Sequence, residues 1–344
     1  MKTHGGFKDS EDTVIINAVF QSGMAMLLYT LKKHFKHFLI VGHPTTLLYC
    51  EKVFDASEFR HKVSYVRKLN FNNFPQSVII SDSQDVNCDL WMDFDYYDID
   101  KRNGNAYIFP YYRSPARHYV KSERTSDRLN PIKCRIFFGG AIPVGGYPNL
   151  AMSFPEMINR TKIIDYIKES YKKEIVEYGV CNEFDNKDSI KILLALNDKR
   201  RGDTKYPIEF EDFEEQLAVS DFFIAPPGNG MPHCHNIMEA LYRGSIPITN
   251  YADWFYPELE DGINCLSFHG IEELNDCVKR ALAMSDAEIV TMREKAKKYY
   301  ETYCSSDAVY NTLKKYFGKR KRKMMLVNDE GNTIALQKKR NGFK

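Results

Sequence analysis

The 344-residue chain is 43% hydrophobic, 27% charged and 13% aromatic, a composition that excludes disordered, collagen-like, coiled-coil and low-complexity proteins. Its length is sufficient for about two domains, each with its own hydrophobic core. Residues 314–344 hold eleven of the 48 Lys and Arg residues and two of the 46 acidic residues, so this segment carries +9 and the rest of the chain −7. A mildly acidic body argues against a nucleic-acid partner, because binding phosphates takes Lys and Arg.

The first part of the chain has the pattern of a βαβ unit. A strand is predicted at 13–19 (TVIINAV), an amphipathic helix at Met24–His34 and a second strand at 37–42 (HFLIVG). Such a strand, helix and strand form a crossover connection, which is typical of a parallel sheet. Further strands are predicted at 77–81 (SVIIS) and from Asn105 onward (NAYIF). We therefore predict a doubly wound α/β domain.

A polar segment separates this pattern from a second one. Residues 120–133 (VKSERTSDRLNPIK) are charged and lack hydrophobic periodicity. The α/β alternation then restarts with predicted strands at 134–140, 189–196, 221–227 and 245–250, and helices at 156–171, 210–219, 235–243, 271–284, 286–304 and 307–317. We predict two Rossmann-like domains, residues 1–130 and 131–318, followed by a basic tail at 319–344.

Residues 220–248 (SDFFIAPPGNGMPHCHNIMEALYRGSIPI) have the features of a phosphate-binding segment. A strand ends in two prolines, Gly228 and Gly230 free the backbone, and a helix begins close behind. This arrangement points helix N–H groups at the mouth of the sheet, where they and the helix dipole stabilise a phosphate or diphosphate. Glu239 shares a helix face with Asn236, so its carboxylate is placed to accept hydrogen bonds from ribose hydroxyls. Taken singly, the glycines also fit a simple turn and Glu239 a solvated helix residue.

The order of residues in this segment resembles the donor-binding half of exostosin-like glycosyltransferases, whose pattern is S-x-F-x-x-x-P-x-G, then R-x-x-[DE]-A, then G-C-I-P-V. The matching residues are Ser220, Phe222, Pro226, Gly228, Glu239, Ala240, Gly244, Ile246 and Pro247. The strand CRIFFGG (134–140) followed by Arg160 also resembles that family. Two positions depart from the pattern, since Asn236 replaces the arginine and Ser245 the cysteine. Asn236 lacks the charge for a diphosphate, which His233, His235 or Arg160 then has to supply.

The resemblance implies a GT-B fold, in which two Rossmann-like domains face a central cleft, with the acceptor site mainly on the first and the nucleotide-sugar site mainly on the second. The implied activity is transfer of a hexosyl or pentosyl group from a nucleoside-diphosphate sugar, with a UDP-sugar favoured, to a hydroxyl of a glycan, a lipid-linked glycan or another glycoconjugate. Two alternatives stay open, namely a nucleotide-sugar epimerase on the same fold and a non-catalytic nucleotide- or glycan-binding protein. No cofactor besides the donor substrate is expected.

The resemblance and the glycine-containing loop together indicate a set of donor-binding residues. They are Gly139, Gly140, Arg160, Pro227, Gly228, Asn229, Gly230, His233, His235, Asn236, Glu239 and Ala240. Arg160 is also a catalytic candidate, because its guanidinium can donate a bidentate pair to the diphosphate and stabilise the charge that develops as the sugar leaves. As a solvent-facing helix residue it would do neither.

An inverting transferase also needs a base for the acceptor's proton, and in the GT-B arrangement this base comes from the first domain. The candidates are Asp82 and His43, each just past a predicted strand, followed by Asp93 and Asp95 in the run DLWMDFDYYD. A carboxylate in such a position is also a common helix cap. A retaining enzyme needs no such base, and the sequence does not decide between the two outcomes.

Asp93-Phe94-Asp95 is formally a D-x-D motif, which binds Mn²⁺ in single-domain GT-A glycosyltransferases. The two-domain prediction favours charge stabilisation by arginine, histidine and a helix dipole instead. We therefore expect no metal site here.

The remaining features concern location. The eight cysteines are scattered and form no CxxC pair, which argues against zinc-ribbon and thioredoxin-type sites and favours reduced thiols in a cytoplasmic protein. The N-terminal residues MKTHGGFKDSEDT lack the apolar stretch of a secretory signal peptide. The basic segment LKKYFGKRKRKMML can lie on an anionic membrane surface with Tyr316 and Phe317 inserted, and a solvated tail explains it equally well.

Overall fold

A computed structural model describes residues 9–19, 25–95, 98, 104, 106–110, 131–142, 154, 156–178, 190–198, 208, 210–228 and 230–327. The chain divides into two compact units, of which the first comprises residues 1–120 and 304–344 and the second residues 121–303. Most of the predicted linker, residues 120–133, lies outside the described residues.

The strands are, in chain order, β1 (Thr13–Asn17), β2 (His37–Val41), β3 (Val63–Val66), β4 (Val78–Ser81), β5 (Leu90–Asp93), β6 (Tyr107–Phe109), β7 (Cys134–Ile142), β8 (Ile175–Glu177), β9 (Ile190–Asp198), β10 (Ser220–Ile224), β11 (Ile246–Thr249), β12 (Leu266–Ser267) and β13 (Lys323–Val327). The α-helices are α1 (Ala25–Lys32), α2 (Pro44–Val53), α3 (Ala56–Lys62), α4 (Arg160–Ser170), α5 (Phe210–Val219), α6 (His235–Arg243), α7 (Ile271–Ala283), α8 (Asp286–Tyr299) and α9 (Ser306–Lys314). None of these helices is long and apolar enough to span a membrane.

The sheet of the first unit is parallel throughout and has the strand order β3-β2-β1-β4-β5-β13-β6. This is the order of a Rossmann-like fold with one extra strand between β5 and β6. Both faces of the sheet are covered, because Ile15, Leu39 and Ile79 belong to one buried cluster while Val14 and Ile16 belong to another. Continuous apolar runs such as TVII are expected in a parallel sheet of this kind.

Local sequence signals account for the helices between β2 and β3. Pro44 occupies the first turn of α2, where its missing N–H costs nothing. The Asp55 carboxylate accepts hydrogen bonds from the backbone N–H groups of Ser57 and Glu58, both at 2.9 Å, and the Glu58 carboxylate accepts one from Asp55 N. This capping box fixes the start of α3.

The C-terminal basic segment was predicted as a tail outside the two domains, but part of it belongs to the first sheet. Residues 323–327 (KMMLV) form β13 inside the first sheet, and Met325, Leu326 and Val327 are buried. Tyr316 and Phe317 pack against the core of the first unit, and the Phe317 ring contacts that of Phe35 at 5.7 Å between centroids. The two aromatic side chains proposed for membrane insertion are therefore already used in packing, because the fold buries their apolar surface.

A buried ion pair holds the chain leading into β13. The Arg320 guanidinium donates to Asp89 Oδ2 at 2.6 Å and to the carbonyl oxygens of Phe74 and Ser77. Asp89 is fully buried, and it also accepts hydrogen bonds from the backbone N–H groups of Arg320 and Ile79, both at 2.9 Å. This cation of the basic segment is thus neutralised inside the first unit.

The sheet of the second unit is also parallel, with the order β12-β11-β10-β7-β9-β8. Its core includes Ile136, Phe138, Ile192, Phe222 and Ile246 from the strands, packed against helix residues. The prediction of two Rossmann-like α/β domains is confirmed by these two sheets. The cleft between them stays a prediction.

Candidate functional site

The strand order of the second unit reverses between β7 and β10, and we call the region at the carboxyl ends of these two strands the crevice. β7 lies between β9 and β10. After β7 the chain forms β8 and β9 on one side of it and then crosses to form β10 on the other side. Such a topological switch point is where open α/β sheets bind their ligands. Phe137 pairs with Phe223, so Gly139 and Gly140 lie beside the residues that follow β10.

The loop after β10 is tightly closed and begins with the buried residues Ala225, Pro226 and Pro227. The Gly228 N–H donates to the Pro232 carbonyl at 3.1 Å. A Cβ on Gly228 would lie 2.9 Å from the carbonyl oxygens of both Met231 and His233, which is too close for any side chain. Gly228 is therefore required by the backbone path itself.

This loop delivers the start of α6 to the crevice. Cys234 is the N-cap residue, and no side chain caps the helix there. The N–H groups of the first turn and the positive end of the helix dipole lie here, and both favour a nearby anion. The helix ends at Gly244, which has a φ of +74° that favours glycine, and β11 follows at once.

Arg160 lies at the same place and begins α4, whose N-cap is Asn159. Its side chain is 6% exposed and donates from NH1 to the Ala141 carbonyl at 3.3 Å and from NH2 to the Cys234 sulfur at 3.2 Å. The Asn159 side chain accepts a hydrogen bond from Lys162 N at 3.0 Å and so caps α4. Asn159-Arg160-Thr161 also has the N-x-T pattern of an N-glycosylation site, and the capping role accounts for its asparagine. The arginine is thus held between the end of β7 and the start of α6.

The glycine pair of β7 faces Arg160 and α6. A Cβ on Gly139 would lie 2.7 and 2.8 Å from the rings of Phe137 and Phe213, so a side chain cannot fit there. A Cβ on Gly140 would lie 3.6 Å from Asn236 Nδ2 and 3.7 Å from Arg160 NH1. The Asn236 side chain donates to the Gly139 carbonyl at 3.4 Å, and its Oδ1 lies 3.6 Å from the Cys234 sulfur.

Cys234 is a site residue that the sequence reasoning missed. Burial alone would raise the pKa of its thiol, but the Arg160 guanidinium, His235 and the Asn236 backbone N–H together lower this pKa below the usual range. A thiol before the first turn of a helix and beside a cation is stabilised as the thiolate. The only signal in the sequence is a cysteine immediately before a predicted helix.

His235 and Glu239 form a pair on α6. The Glu239 carboxylate is fully buried, and both of its oxygens lie 3.1 Å from His235 Nδ1. The His235 side chain is 41% exposed, so it lies between the carboxylate and the surface. The carboxylate expected to receive ribose hydroxyls is therefore engaged by the histidine in this structure.

His233 is enclosed by aromatic rings. It is 4% exposed and makes edge contacts with Phe255 at 4.9 Å, Tyr251 at 6.0 Å and Trp254 at 6.4 Å between centroids. These contacts show that the His233 ring is packed among aromatic side chains.

The remaining predicted binding residues are distributed as follows. Pro227 and Gly230 are buried within the loop before α6, and Ala240 is buried inside α6. Asn229 lies outside the described residues. The crevice therefore brings together Gly139, Gly140, Arg160, His235 and Asn236 around Cys234.

Ser245, which replaces the family's cysteine, offers a stability test of this region. Its hydroxyl is buried without a hydrogen-bond partner among the described residues, while its backbone N–H donates to the Ala240 carbonyl at 2.9 Å. We expect Ser245→Ala to raise the free energy of unfolding by about 1 kcal/mol, because alanine removes an unsatisfied polar group and keeps the backbone bond. Urea denaturation measures the change. Ser285→Ala is the matched control and should destabilise, since Ser285 caps α8; a loss of stability in Ser245→Ala would contradict the account.

The proposed base candidates lie in the first unit. Asp82 follows β4, and its Oδ2 accepts a hydrogen bond from Val19 N at 2.9 Å, so the carboxylate supports the chain leaving β1. His43 is half-buried at the start of α2. Both residues lie at the carboxyl edge of the first sheet, beside the switch point between β1 and β4.

The two D-x-D carboxylate residues are in direct contact with each other. Asp93 Oδ1 accepts a hydrogen bond from Asp95 N at 2.9 Å. Within the described ranges, no group of three or more His, Cys, Asp or Glu side chains is arranged to hold a metal ion.

Comparisons with known proteins identify similar structures only. No protein-family model matches the sequence, and no curated protein matches it. Solved structures with a similar fold include an α1,3-fucosyltransferase, at 11% identity and a TM-score of 0.35, with 86% of this chain and 85% of that one covered. Another is WaaG, a glycosyltransferase of lipopolysaccharide biosynthesis, at 13% identity and a TM-score of 0.38, with 88% of this chain and 99% of that one covered. A third is HepE from Anabaena, solved with UDP and glucose, at 10% identity and a TM-score of 0.33, with 87% of this chain and 70% of that one covered. TM-scores below 0.5 are too low to assign this chain to a family.

Proposed function

We propose that this protein is a glycosyltransferase whose second unit binds a nucleoside-diphosphate sugar at the start of α6. The observation that carries the proposal is the meeting of the Arg160 guanidinium with the N-terminus of α6 at a topological switch point. Backbone N–H groups, a helix dipole and a buried arginine are complementary to a diphosphate.

The same groups suit the chemistry of sugar transfer. As the bond between the anomeric carbon and the diphosphate oxygen breaks, negative charge grows on the leaving nucleotide. Arg160 and the first turn of α6 are positioned to stabilise that charge, and their fixed geometry means that little reorganisation is needed. Asn236 then contributes a neutral amide where exostosin-like enzymes have arginine, so Arg160 supplies the main positive charge.

For the acceptor, we propose a hydroxyl group of a glycan or glycoconjugate bound by the first unit. Asp82 and His43 lie at the carboxyl edge of its sheet and are the candidate bases if the reaction inverts the anomeric centre. Exchange of Asp82 for asparagine separates this role from its backbone contact, because asparagine retains an acceptor oxygen for Val19 N.

Nucleotide binding is the first test of the proposal. We expect UDP to raise the melting temperature of the purified chain more than GDP or CMP at the same millimolar concentration, because a ligand that binds the folded state stabilises it. Reaction products then separate the classes of function. A transferase releases free nucleotide when acceptor is present, an epimerase returns a changed nucleotide sugar, and a binding protein leaves the nucleotide sugar intact.

Glu239 provides a test of nucleoside recognition. In the wild type we expect UDP to bind about 10-fold or more tightly than 2′,3′-dideoxy-UDP, because hydrogen bonds from ribose hydroxyls to a carboxylate are strong. Glu239→Gln should shrink this difference while keeping the shape of the buried side chain. Isothermal titration calorimetry measures both affinities, and melting temperatures without ligand control for folding. An equal preference for UDP in wild type and variant would show that Glu239 does not contact the ribose.

A further inference from the structure

Cys234 differs from the other cysteines that the structure describes. All seven are free thiols, and Cys50, Cys88, Cys134, Cys265, Cys277 and Cys304 are buried, whereas Cys234 is partly exposed. Burial raises the pKa of the Cys50 and Cys277 thiols to about 12 and that of Cys88 to about 11. The pKa of Cys234 moves in the opposite direction.

The groups around the Cys234 sulfur come from three elements. Arg160 at the start of α4 donates to the sulfur at 3.2 Å, and His235 follows it in the first turn of α6. The third group is Tyr251, which comes after β11. Tyr251 is fully buried, and its hydroxyl lies near the Thr249 side chain and the Cys234 backbone. Burial and then the nearby Cys234 raise the pKa of Tyr251 well above its usual value, so this hydroxyl stays protonated and can donate toward an anion.

These surroundings favour the thiolate form of Cys234 more than the surroundings of the buried cysteines favour theirs. The Arg160 guanidinium and the N-terminus of α6 both stabilise negative charge on the sulfur, and Asn236 Oδ1 lies farther away at 3.6 Å. A thiolate is also the nucleophilic form of cysteine, and Cys234 is the one described cysteine residue that is not classed as buried.

We propose that Cys234 is a covalent modification site, at which soft electrophiles react in preference to the buried cysteines and block the anion-binding crevice. With a haloacetamide such as iodoacetamide, the sulfur attacks the carbon that bears iodine, the carbon–sulfur bond forms as the carbon–iodine bond breaks, and iodide leaves. The thioether product is neutral and bulkier, so Arg160 loses its anionic partner. The preferential reaction at Cys234 is inferred from the surroundings of its sulfur. The expectation that the modification blocks nucleotide binding rests on the proposed function.

The reactivity is measured on the purified full chain by timed labelling with iodoacetamide, proteolysis and mass spectrometry of each cysteine peptide. We expect Cys234 to react at least about 10-fold faster than the six buried cysteines, with a rate that reaches half its maximum at a pH below the ordinary thiol value of about 8.5. Labelling of Cys234 at the rate of the buried cysteines, or a midpoint at or above that pH, would overturn the proposal.

Two variants test the origin of the reactivity. Arg160→Gln and His235→Gln should each slow the labelling of Cys234 and move its pH midpoint upward, because each removes a positive charge near the sulfur. His235 is partly exposed, so its replacement remains informative if the loss of Arg160 impairs folding. Unchanged rates and midpoints in both variants would contradict the proposed electrostatic activation.

Labelling in the presence of ligands separates this inference from the proposed function. We expect UDP and inorganic pyrophosphate to protect Cys234, and carbamidomethylated protein to lose stabilisation by UDP. Fast labelling that neither ligand slows would support the reactivity of Cys234 and contradict binding of the diphosphate beside it. Slow labelling together with tight UDP binding would refute the reactive thiol and leave the donor site in place.

Discussion

Replacing Asp89 with alanine is expected to lower the free energy of unfolding of the first unit by about 3–5 kcal/mol, because it leaves a largely buried guanidinium without its counterion. Asp89 is fully buried and binds the side chain and backbone N–H of Arg320 as well as Ile79 N. Its loss therefore weakens the attachment of β13 to β5, where Met324 pairs with Trp91.

Trp91 makes this change measurable in the first unit alone. The chain contains two tryptophans, and the other, Trp254, lies in the second unit. In a Trp254→Phe background, urea denaturation followed by fluorescence reports on Trp91. Asp12→Ala is the control, because Asp12 pairs with Lys36 at the surface and should contribute less than about 1 kcal/mol. Equal effects of the two substitutions would contradict the buried ion pair, and Asp89→Ala combined with Arg320→Met should recover part of the loss.

Replacing Arg160 with alanine is expected to weaken UDP binding by at least about 30-fold, which corresponds to the roughly 2 kcal/mol or more typical of a buried charge-assisted hydrogen bond. The guanidinium is held by the Ala141 carbonyl and lies beside the start of α6, so it is pre-positioned for an anion. Arg160→Lys should retain part of the affinity, because lysine keeps the charge but loses the planar pair of donors.

Calorimetric titration with UDP measures these affinities. Arg135→Ala is a matched control, because Arg135 is an arginine near the other end of β7 that pairs with Asp221 at 3.2 Å. Its replacement should leave UDP affinity unchanged. An Arg160→Ala protein that folds and binds UDP as the wild type does would remove Arg160 from the donor site.

The elements with strong local signals were predictable from the sequence. The helix predicted at 235–243 coincides with α6, because its start follows a glycine-containing loop and Gly244 ends it. Hydrophobic patterns also predicted the helix at 210–219 and most strands, but not β3, β5, β8, β12 or β13. The sequence analysis missed α2 and α3, which have weak hydrophobic periodicity, although the capping box at Asp55 marks the start of α3.

β13 was not predictable because its partners are far away in the sequence. Five consecutive basic residues, 319–323, lead into its apolar residues and favour a solvated segment. The carboxylate that neutralises Arg320 belongs to Asp89, and the strands that flank β13 are β5 and β6. The predicted tail therefore becomes part of the first sheet through contacts that no local pattern contains.

The candidate site was predictable only in part. The glycine pair of β7, Arg160 and Asn236 were expected at one place, and the structure brings them together. The contact between Arg160 and Cys234 was missed, because a single cysteine has no spacing that reveals a partner 74 positions away. His233 was expected to supply charge, and its aromatic surroundings were invisible because they come from residues 251–255 after the next strand.

The central claim is that the crevice at the start of α6 binds a nucleoside diphosphate, and hydrogen–deuterium exchange with and without saturating UDP tests it most directly. We expect UDP to slow exchange in peptides that cover residues 225–241 and 139–142, and to leave α7 and α8 unchanged, because the diphosphate binds backbone N–H groups of the first turn of α6. The account would be contradicted if UDP binds and exchange is unchanged in both peptide groups. It would also be contradicted if UDP slows exchange only in other segments.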